Sequence, residues 1–331
     1  MMDLLEIKNL ETSFVIEDKT VVQVLDKISF SLKKGETLGI VGESGCGKSI
    51  TALSIMRLLP RPSGIISGGN IFYQGQDLLQ LKTSDMYKIR GNKIAMIFQE
   101  PMTALNPLHT VGQQLTEVFS LHFPEISFDE ATTRSIKLLD KVGIPGASHR
   151  MKEYPYQLSG GIRQRVMIAM ALACSPDILI ADEPTTALDV TIQAQILDLM
   201  KSIQKEMGMS IIFITHDLGV IAETCDRIVV MYAGRIVESG SLNDIFNNPR
   251  HAYTKGLINS IPRMTDTPKS KLDTIEGVVP SIQEFPSYCR FYNRCKYASA
   301  WCQQKTPPMV EVEPGHFSNC LNYKDLHREL D

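Results

Sequence analysis

Short β-branched runs alternate with helical patterns over the first 250 residues, which is typical of an α/β architecture. Several runs are apolar throughout, as strands of a sheet covered on both faces require. Between Thr191 and Met207, apolar residues recur at spacings of four, three and four, which predicts a helix with one apolar face against the sheet. The predicted strands are Leu4–Leu10, Thr37–Val41, Lys93–Phe98, Ile178–Ala181, Ser210–Thr215 and Arg227–Met231.

The pattern changes after Asn248, where prolines interrupt the apolar periodicity. A chain of 331 residues is long enough for one large domain and an appendage, because single hydrophobic cores rarely exceed about 250 to 300 residues. The sequence therefore predicts an α/β domain over residues 1–260 and a small, loop-rich, cysteine-rich C-terminal module over residues 261–331.

Composition and charge exclude several classes of protein. Apolar residues make up 43% of the chain and charged residues 21%, as in an ordinary folded globular protein. The net charge of -3 argues against binding of nucleic acid through a broad basic surface. The longest apolar runs are far shorter than the roughly 18 residues of a membrane-spanning helix. The first ten residues lack the basic and apolar regions of a secretory signal, so we expect a reducing cytosolic environment.

A glycine-rich segment between a predicted strand and a helix-forming stretch, Ser49–Leu59, matches the pattern G-x-x-x-x-G-K-[ST]. Glycines allow successive backbone N–H groups to converge on phosphate oxygens, the lysine adds a positive charge, and the hydroxyl suits Mg²⁺. Cys46 is expected to be a small filler rather than a reactive thiol. The predicted phosphate-binding residues are Gly42, Glu43, Ser44, Gly45, Cys46, Gly47, Lys48, Ser49 and Ile50.

Polar residues follow three further apolar runs. Asp182 and Glu183 end one run, Gln99 follows a second, and His216 follows a third. In an open α/β sheet the carboxyl ends of the strands gather around the ligand crevice. Asp182 suits coordination of Mg²⁺, and Glu183 suits a general base for an attacking water. Taken singly, Gln99 and His216 are better explained as hydrogen-bonded side chains at a sheet edge, and only their joint placement favours contact with a γ-phosphate.

The segment Leu158-Ser159-Gly160-Gly161 precedes a strongly apolar helical run, Val166–Ala173. Ser159 is a favourable N-cap residue, and the paired glycines expose backbone donors at a helix start. This segment can therefore also bind an anion.

These motifs, in this order, resemble the ATP-binding cassette (ABC) family over about residues 4–257. The resemblance implies a P-loop NTPase fold with a helical subdomain at about residues 105–175, and it implies ATP and Mg²⁺ as ligands. Family roles then fall on matching positions. The catalytic set is Glu183, His216 and Gln99; the nucleotide contacts further include Phe14 against adenine, Ser159, Gly160, Gly161 and Asp189; and Mg²⁺ is held by Ser49, Gln99 and Asp182.

The family also implies partners. ATP is bound between two such domains, so a second ABC ATPase subunit, identical or related, is expected. The helical stretch Val111–Lys152 would dock on two membrane permease subunits, with an extracytoplasmic peptide-binding protein involved indirectly. The chain would then lie peripherally on the cytoplasmic face of the cell membrane.

One position departs from the family pattern. The glutamine that usually follows the LSGG segment is Ile162 here, and Gln164 comes two positions later. Its side-chain contact with the partner's nucleotide is therefore not expected, whereas the backbone donors are retained. An apolar residue at this position resembles the branch that imports dipeptides and oligopeptides, which gives the predicted function: an ATPase subunit of such an importer.

Other functions share some of these motifs. Chromosome-maintenance relatives insert a long coiled coil where only 59 residues separate Gln99 from Leu158, and translation-associated relatives carry two phosphate loops where this chain has one. A soluble ABC ATPase that acts as a mechanochemical or regulatory module without a permease stays open as an alternative. An enzyme of small-molecule phosphoryl transfer is a weaker third.

Four of the seven cysteines lie within a 32-residue stretch near the C-terminus, at spacing C-x5-C-x6-C-x17-C. Structural zinc sites usually have tight C-x2-4-C pairs, which are missing here. Four thiolates without such pairs fit a [4Fe-4S] cluster better, and a proline-rich extension with this cysteine set resembles peptide-importer ATPases. Zinc and unligated thiols remain alternatives, and His316 is a candidate substitute ligand. The predicted ligands are Cys289, Cys295, Cys302 and Cys320.

Overall fold

The computed structural model divides the chain into two compact units. The first unit comprises residues 1–32, 37–79 and 214–331, and the second comprises residues 33–36 and 80–213. The predicted domain boundary near residue 260 adjoins residues outside the described part, and Ala187, two positions before Asp189, also lies outside it. The structure describes residues 3–16, 19–100, 104–186, 188–261, 274–324 and 326.

The first unit contains an antiparallel sheet in the order β2-β1-β4-β5. Its central strand continues past the predicted end at Leu10, and its buried residues, such as Leu5 and Ile7, alternate with more exposed ones. Long pairing with both neighbours carries the strand through Phe14. The strands are β1 (Leu5–Val15), β2 (Val21–Leu32), β4 (Gly64–Tyr73) and β5 (Gln76–Asp77).

A second set of strands in this unit follows the order β11-β12-β10-β9-β3. The strand before the glycine-rich segment has the predicted bounds, and all five of its residues are buried. It runs parallel to β9, whereas the other pairs are antiparallel. The strands are β3 (Thr37–Val41), β9 (Arg227–Tyr232), β10 (Arg235–Ser241), β11 (Val310–Glu313) and β12 (His316–Ser318).

Among its described residues the first unit has four helices, and side chains cap three of them. Asp217, Ser241 and His251 each accept a hydrogen bond from a backbone N–H in the first turn of the helix that follows. The helices are α1 (Lys48–Ile55), α8 (Leu218–Thr224), α9 (Leu242–Asn247) and α10 (Ala252–Asn259).

In the second unit, β6 (Ile94–Ile97) runs parallel to β7 (Ile178–Asp182). Next to β7 lies β8 (Ser210–Thr215), whose last two residues fall in the first unit. Every residue of β7 and β8 is buried, which explains their uninterrupted apolar sequences.

Helices make up about half of the second unit. The predicted helical stretch from Val111 forms three helices, of which α3 and α4 contact each other and both contact α6. Of the four apolar residues predicted to share the buried face of α7, Ile196 and Ile203 are buried, whereas Ile192 and Leu199 are half-buried. Leu197 and Met200 are buried as well. The helices are α2 (Thr83–Ile89), α3 (Val111–His122), α4 (Phe128–Lys141), α5 (Ala147–Arg150), α6 (Gly160–Leu172) and α7 (Val190–Met207).

Within the described ranges, no helix combines the length and the apolar character needed to cross a membrane. Single-turn 3-10 segments occur at Leu78–Gln80, Pro155–Gln157, Ile282–Glu284, Tyr292–Arg294 and Ala300–Gln303.

Candidate nucleotide-binding site

The glycine-rich segment connects β3 to α1, so the predicted strand and helix flank it. Its glycines are needed where the backbone packs closely. A Cβ atom on Gly42 would lie 2.2 Å from the carbonyl oxygen of Met231, and one on Gly47 would lie 2.7 Å from Leu25 Cδ2. Gly47 also has a φ of 103°, in the region that favours glycine. The segment therefore has the sequence that its tight turn requires.

The Lys48 side chain donates hydrogen bonds to backbone carbonyl groups of this loop. Its side chain is buried, and Nζ donates to the carbonyl oxygens of Gly42 at 2.7 Å and Glu43 at 3.2 Å. These hydrogen bonds hold the first residues of the loop close to the ammonium group. The group also places positive charge at the N-terminus of α1. Ser44 and Gly45 are exposed, whereas Ser49 and Ile50 are half-buried.

Cys46 is buried within this loop, as expected of a filler residue. Burial raises the pKa of its thiol, so the sulfur stays protonated and unreactive at neutral pH. Its carbonyl oxygen accepts a hydrogen bond of 2.9 Å from the N–H of Gly234, which ties the loop to the turn after β9.

In the second unit, the structure brings Gln99 and Glu183 together. Glu183 Oε2 accepts hydrogen bonds from Gln99 Nε2 at 3.1 Å and from Thr186 Oγ1 at 2.9 Å. Glu183 has a φ of 47°, a strained value for a residue with a Cβ atom, and such strain is frequent at functional sites. Asp182, the residue before it, is buried at the end of β7. The acids thus sit at a strand end, as predicted.

The LSGG segment begins α6, with Ser159 in the N-cap position and Gly160 as the first helical residue. The expected capping bond is missing, because the Ser159 side chain accepts no hydrogen bond from the helix. Ile162 is half-buried, whereas Gln164 is buried with its Nε2 atom unpartnered. Gln164 therefore does not take the place of the usual glutamine.

Three other residues are predicted to contact the nucleotide, and each lies in a different environment. Asp189 caps α7 by accepting a hydrogen bond of 2.9 Å from the N–H of Ile192. Phe14 is a half-buried residue within β1, and His216 is exposed directly after β8. Phe14, the glycine-rich loop and His216 belong to the first unit, whereas Gln99, Asp182, Glu183, Ser159, Gly160, Gly161 and Asp189 belong to the second.

Sequence reasoning missed two contacts of the phosphate loop. Arg294 forms an ion pair with the Glu43 carboxylate, and the Tyr253 hydroxyl accepts a hydrogen bond of 2.8 Å from the Glu43 N–H. The only available signal was the acidic residue itself, because a carboxylate in an anion-binding loop requires a compensating cation.

The four C-terminal cysteines line one cavity in the first unit. The sulfur of Cys302 accepts a hydrogen bond of 3.8 Å from the Asn322 side chain and lies 3.5 Å from the Ser299 hydroxyl. Near the other three sulfurs, backbone N–H groups favour the thiolate and partly oppose the effect of burial on the pKa.

The spacing of these sulfurs does not match a tetrahedral zinc site. Zinc–sulfur bonds of about 2.3 Å place neighbouring sulfurs about 3.8 Å apart. Among the described residues, no three cysteines bring their sulfurs within 4.8 Å of one another. His316 does not line the cavity, because its Nε2 atom lies 2.7 Å from Glu238 Oε1 in a fully buried pair. It is therefore not a substitute ligand in this arrangement.

Burial keeps three of these thiols protonated. It raises the pKa of Cys295 to about 11 and that of Cys320 to about 12, and it also raises the pKa of Cys289. A metal bound in the cavity must therefore displace protons, and its affinity is expected to rise with pH.

A strand, a phosphate-binding loop with a buried lysine and a following helix define a P-loop NTPase. The ABC transporter family profile matches residues 25–186, and that of the oligopeptide/dipeptide transporter C-terminal region matches residues 237–302. A dimeric structure of the ATP-binding cassette MJ0796 bound to ADP and Pi aligns with a TM-score of 0.64 at 28% identity, over 72% of this chain and 98% of that chain.

Curated relatives extend over almost the whole chain. A probable peptide ABC transporter ATP-binding protein of Sinorhizobium fredii is 52% identical over 98% of this chain and 96% of its own length. The oligopeptide transport protein AppD of Bacillus subtilis is 48% identical over 98% of both chains, and the dipeptide transport protein DppD of that organism is 50% identical over 97% and 95%. The chain therefore belongs to the ABC transporter family, as one of its ATP-binding, ATP-hydrolysing proteins.

Proposed function

We propose that this chain powers an ABC importer of dipeptides or oligopeptides from the cytoplasmic face of the cell membrane. The observation that carries the proposal is similarity over almost the whole chain to peptide-transport ATP-binding proteins, together with the match of residues 237–302 to the oligopeptide/dipeptide transporter C-terminal region. In this proposal residues 1–260 form the ATPase domain and residues 261–331 form an accessory module.

The nucleotide site uses the residues that match the family's motifs. The loop from Gly42 to Ile50 holds the phosphates, with Lys48 providing charge, and Phe14 stacks on adenine. Ser49, Asp182 and Gln99 hold Mg²⁺, which neutralises phosphate charge during hydrolysis. Support comes from the buried lysine and from the oxygen donor set, which suits a hard cation.

Glu183 acts as the general base for the attacking water, and His216 contacts the γ-phosphate. The hydrogen bond from Gln99 fixes one oxygen of the Glu183 carboxylate, which supports the assignment because an oriented base needs such a partner.

Hydrolysis occurs in a dimer, with a second ABC ATPase subunit that is identical or related. The LSGG segment, Ser159, Gly160 and Gly161, supplies backbone donors to the nucleotide held by the partner's phosphate loop, and Asp189 lies in the same contact region. The dimeric state of the MJ0796 structure bound to ADP and Pi supports this arrangement. Donors on both sides of the γ-phosphate favour the reacting state over the ground state.

Two membrane permease subunits complete the transporter. The helical subdomain at residues 105–175, which includes α3 to α6, is the proposed docking element, and an extracytoplasmic binding protein delivers the peptide. Isolation of the tagged chain in mild detergent tests this assembly. Co-purification with two multi-span membrane proteins supports it, and recovery of the chain without any membrane protein favours a soluble ABC ATPase instead.

The four C-terminal cysteines would hold a [4Fe-4S] cluster. The cluster would stabilise a segment that has little hydrophobic core of its own by linking its loops. The grouping of all four cysteines around one cavity supports this ligand set. Iron and acid-labile sulfide should be measured in protein purified without oxygen. About four of each per chain supports the cluster, whereas zinc alone or no metal at all contradicts it.

A further inference from the structure

The ion pair between Arg294 and Glu43 joins the cysteine-bearing segment to the phosphate loop. The two guanidinium nitrogens of Arg294 donate to the two carboxylate oxygens of Glu43, at 2.6 Å and 3.0 Å. The Arg294 side chain is only 7% exposed, and that of Glu43 is 27% exposed. A two-pronged pair of this kind is among the strongest polar contacts that side chains make, and it fixes direction as well as distance.

Arg294 is itself held in place by neighbouring groups. It ends the turn Tyr292–Arg294, directly before Cys295, and its Nε atom donates to the carbonyl oxygen of Glu276 at 3.0 Å. A further nitrogen donates to the carbonyl oxygen of Gly277 at 3.3 Å. These hydrogen bonds therefore hold the guanidinium group in one position.

Glu43 is held on its backbone side as well. Its N–H donates to the Tyr253 hydroxyl, and its carbonyl oxygen accepts from Lys48 Nζ. The carboxylate at the other end meets Arg294. Three contacts from different parts of the first unit thus determine the position of the first variable residue of the loop.

This arrangement has two consequences for an anionic ligand. An unpaired Glu43 carboxylate would repel the phosphates, and pairing with Arg294 offsets its charge. A loop held in one conformation also loses less conformational entropy when it binds. Both effects act on nucleotide affinity and leave the hydrolysis step unchanged.

We propose that Arg294 is a positioning residue for ATP binding, which acts through Glu43 to hold the phosphate loop in its binding conformation. The C-terminal segment thereby sets the affinity of the nucleotide site. The inference rests on the proposed binding of phosphates by this loop, and it does not require a metal in the cysteine cavity.

The test compares the full-length wild-type protein with Arg294→Ala and Arg294→Lys, measuring the Kd for MgATP together with KM and kcat for hydrolysis. Arg294→Ala should raise Kd and KM about tenfold while kcat stays within about twofold. Arg294→Lys should recover part of the affinity, because an ammonium group keeps the charge but cannot contact both oxygens.

A double-mutant cycle with Glu43→Gln shows whether the effect passes through the carboxylate. In the Glu43→Gln background, Arg294→Ala should change Kd by only about twofold, since the pair is already broken. Independent, multiplying effects of the two substitutions would overturn the proposal.

Glu313→Gln is the matched control. It breaks a second ion pair between the C-terminal segment and the rest of the unit, that of Glu313 with Arg250, which does not contact the phosphate loop. This variant should melt at a lower temperature and keep the wild-type Kd. An equal loss of affinity in Glu313→Gln and Arg294→Ala would show a general loss of structure and would contradict a positioning role, as would an unchanged Kd in Arg294→Ala.

Failure of the proposed function looks different. If the wild-type protein does not bind MgATP, or if Lys48→Ala binds it as well as the wild type does, then the loop is not the phosphate site. If the wild type binds and Lys48→Ala does not, while Arg294→Ala matches the wild type, then only the role of Arg294 is refuted.

Discussion

Individual residues in this protein show their roles through unusual surroundings. Lys48 is buried, and its ammonium group donates to a backbone carbonyl oxygen. Glu183 has a left-handed backbone, and its carboxylate accepts hydrogen bonds from two side chains. Neither placement is favourable for an isolated side chain. Both become reasonable when a polyanion and a water molecule are bound beside them.

Glu183→Gln tests the role of the base. The amide keeps the size of the side chain but cannot accept a proton, so MgATP binding should persist while hydrolysis falls by at least about a hundredfold. The variant should also accumulate as a closed dimer with ATP, which size-exclusion chromatography detects. Near-normal turnover of the variant would remove Glu183 from the catalytic role.

His251 makes the stability of the first unit depend on pH. Burial lowers its pKa to about 3, and its neutral Nδ1 atom accepts the hydrogen bond from the Tyr253 N–H that caps α10. The unfolded chain takes up this proton below about pH 6.5, whereas the folded chain does not. The contribution of His251 is therefore fully present above pH 6.5 and declines as the pH falls towards 3.

Melting curves of the wild type and His251→Asn at pH 7.5 and pH 5.5 measure this effect. Asparagine can also cap a helix and does not titrate, so the variant should lose less stability on acidification, by up to about 1.4 kcal/mol per pH unit. Parallel losses in the two proteins would mean that other groups account for the acid sensitivity.

At the scale of elements, local sequence was sufficient to predict a strand or a loop whose pattern is contained within a few neighbouring residues. The strands Thr37–Val41 and Ser210–Thr215 have the predicted bounds, because uninterrupted apolar runs end at polar residues. The glycine-rich loop also lies between the predicted strand and helix. By contrast, β1 extends beyond its predicted end because pairing on both sides overrides local polarity.

Contacts between distant parts of the sequence could not be predicted. Arg294 and Glu43 are 251 positions apart, and nothing local marks them as partners. The pairing of β12 with β10 could not be predicted from periodicity either, because a strand of three residues is too short to show a period. In the LSGG segment, Ser159 has the right position for a cap but lacks the capping bond, which composition alone cannot show.

Cys295→Ser tests the stapling role of the cysteine cavity. If a cluster joins these loops, the metal-loaded wild type should melt about 5 °C or more above the variant, because a ligand that binds only the folded state stabilises it. Cys174→Ser, a buried thiol in the second unit, should retain the iron content. Equal melting temperatures of the wild type and Cys295→Ser would contradict stapling.

At the scale of the whole molecule, the residues proposed for ATP binding and hydrolysis are divided between two units. The first carries the phosphate loop and His216, and the second carries Glu183, Gln99 and the LSGG segment. The C-terminal segment pairs with β10 and also contacts the phosphate loop, so it is structurally part of the first unit.

Uptake of a labelled peptide tests the central claim most directly. Cells that lack this chain but retain its proposed permease partners should be complemented with the wild type or with Glu183→Gln at equal protein levels. Wild-type protein should restore the uptake of dipeptides or oligopeptides, and Glu183→Gln should not. Equal uptake with the wild type, with Glu183→Gln and without the chain would contradict the account.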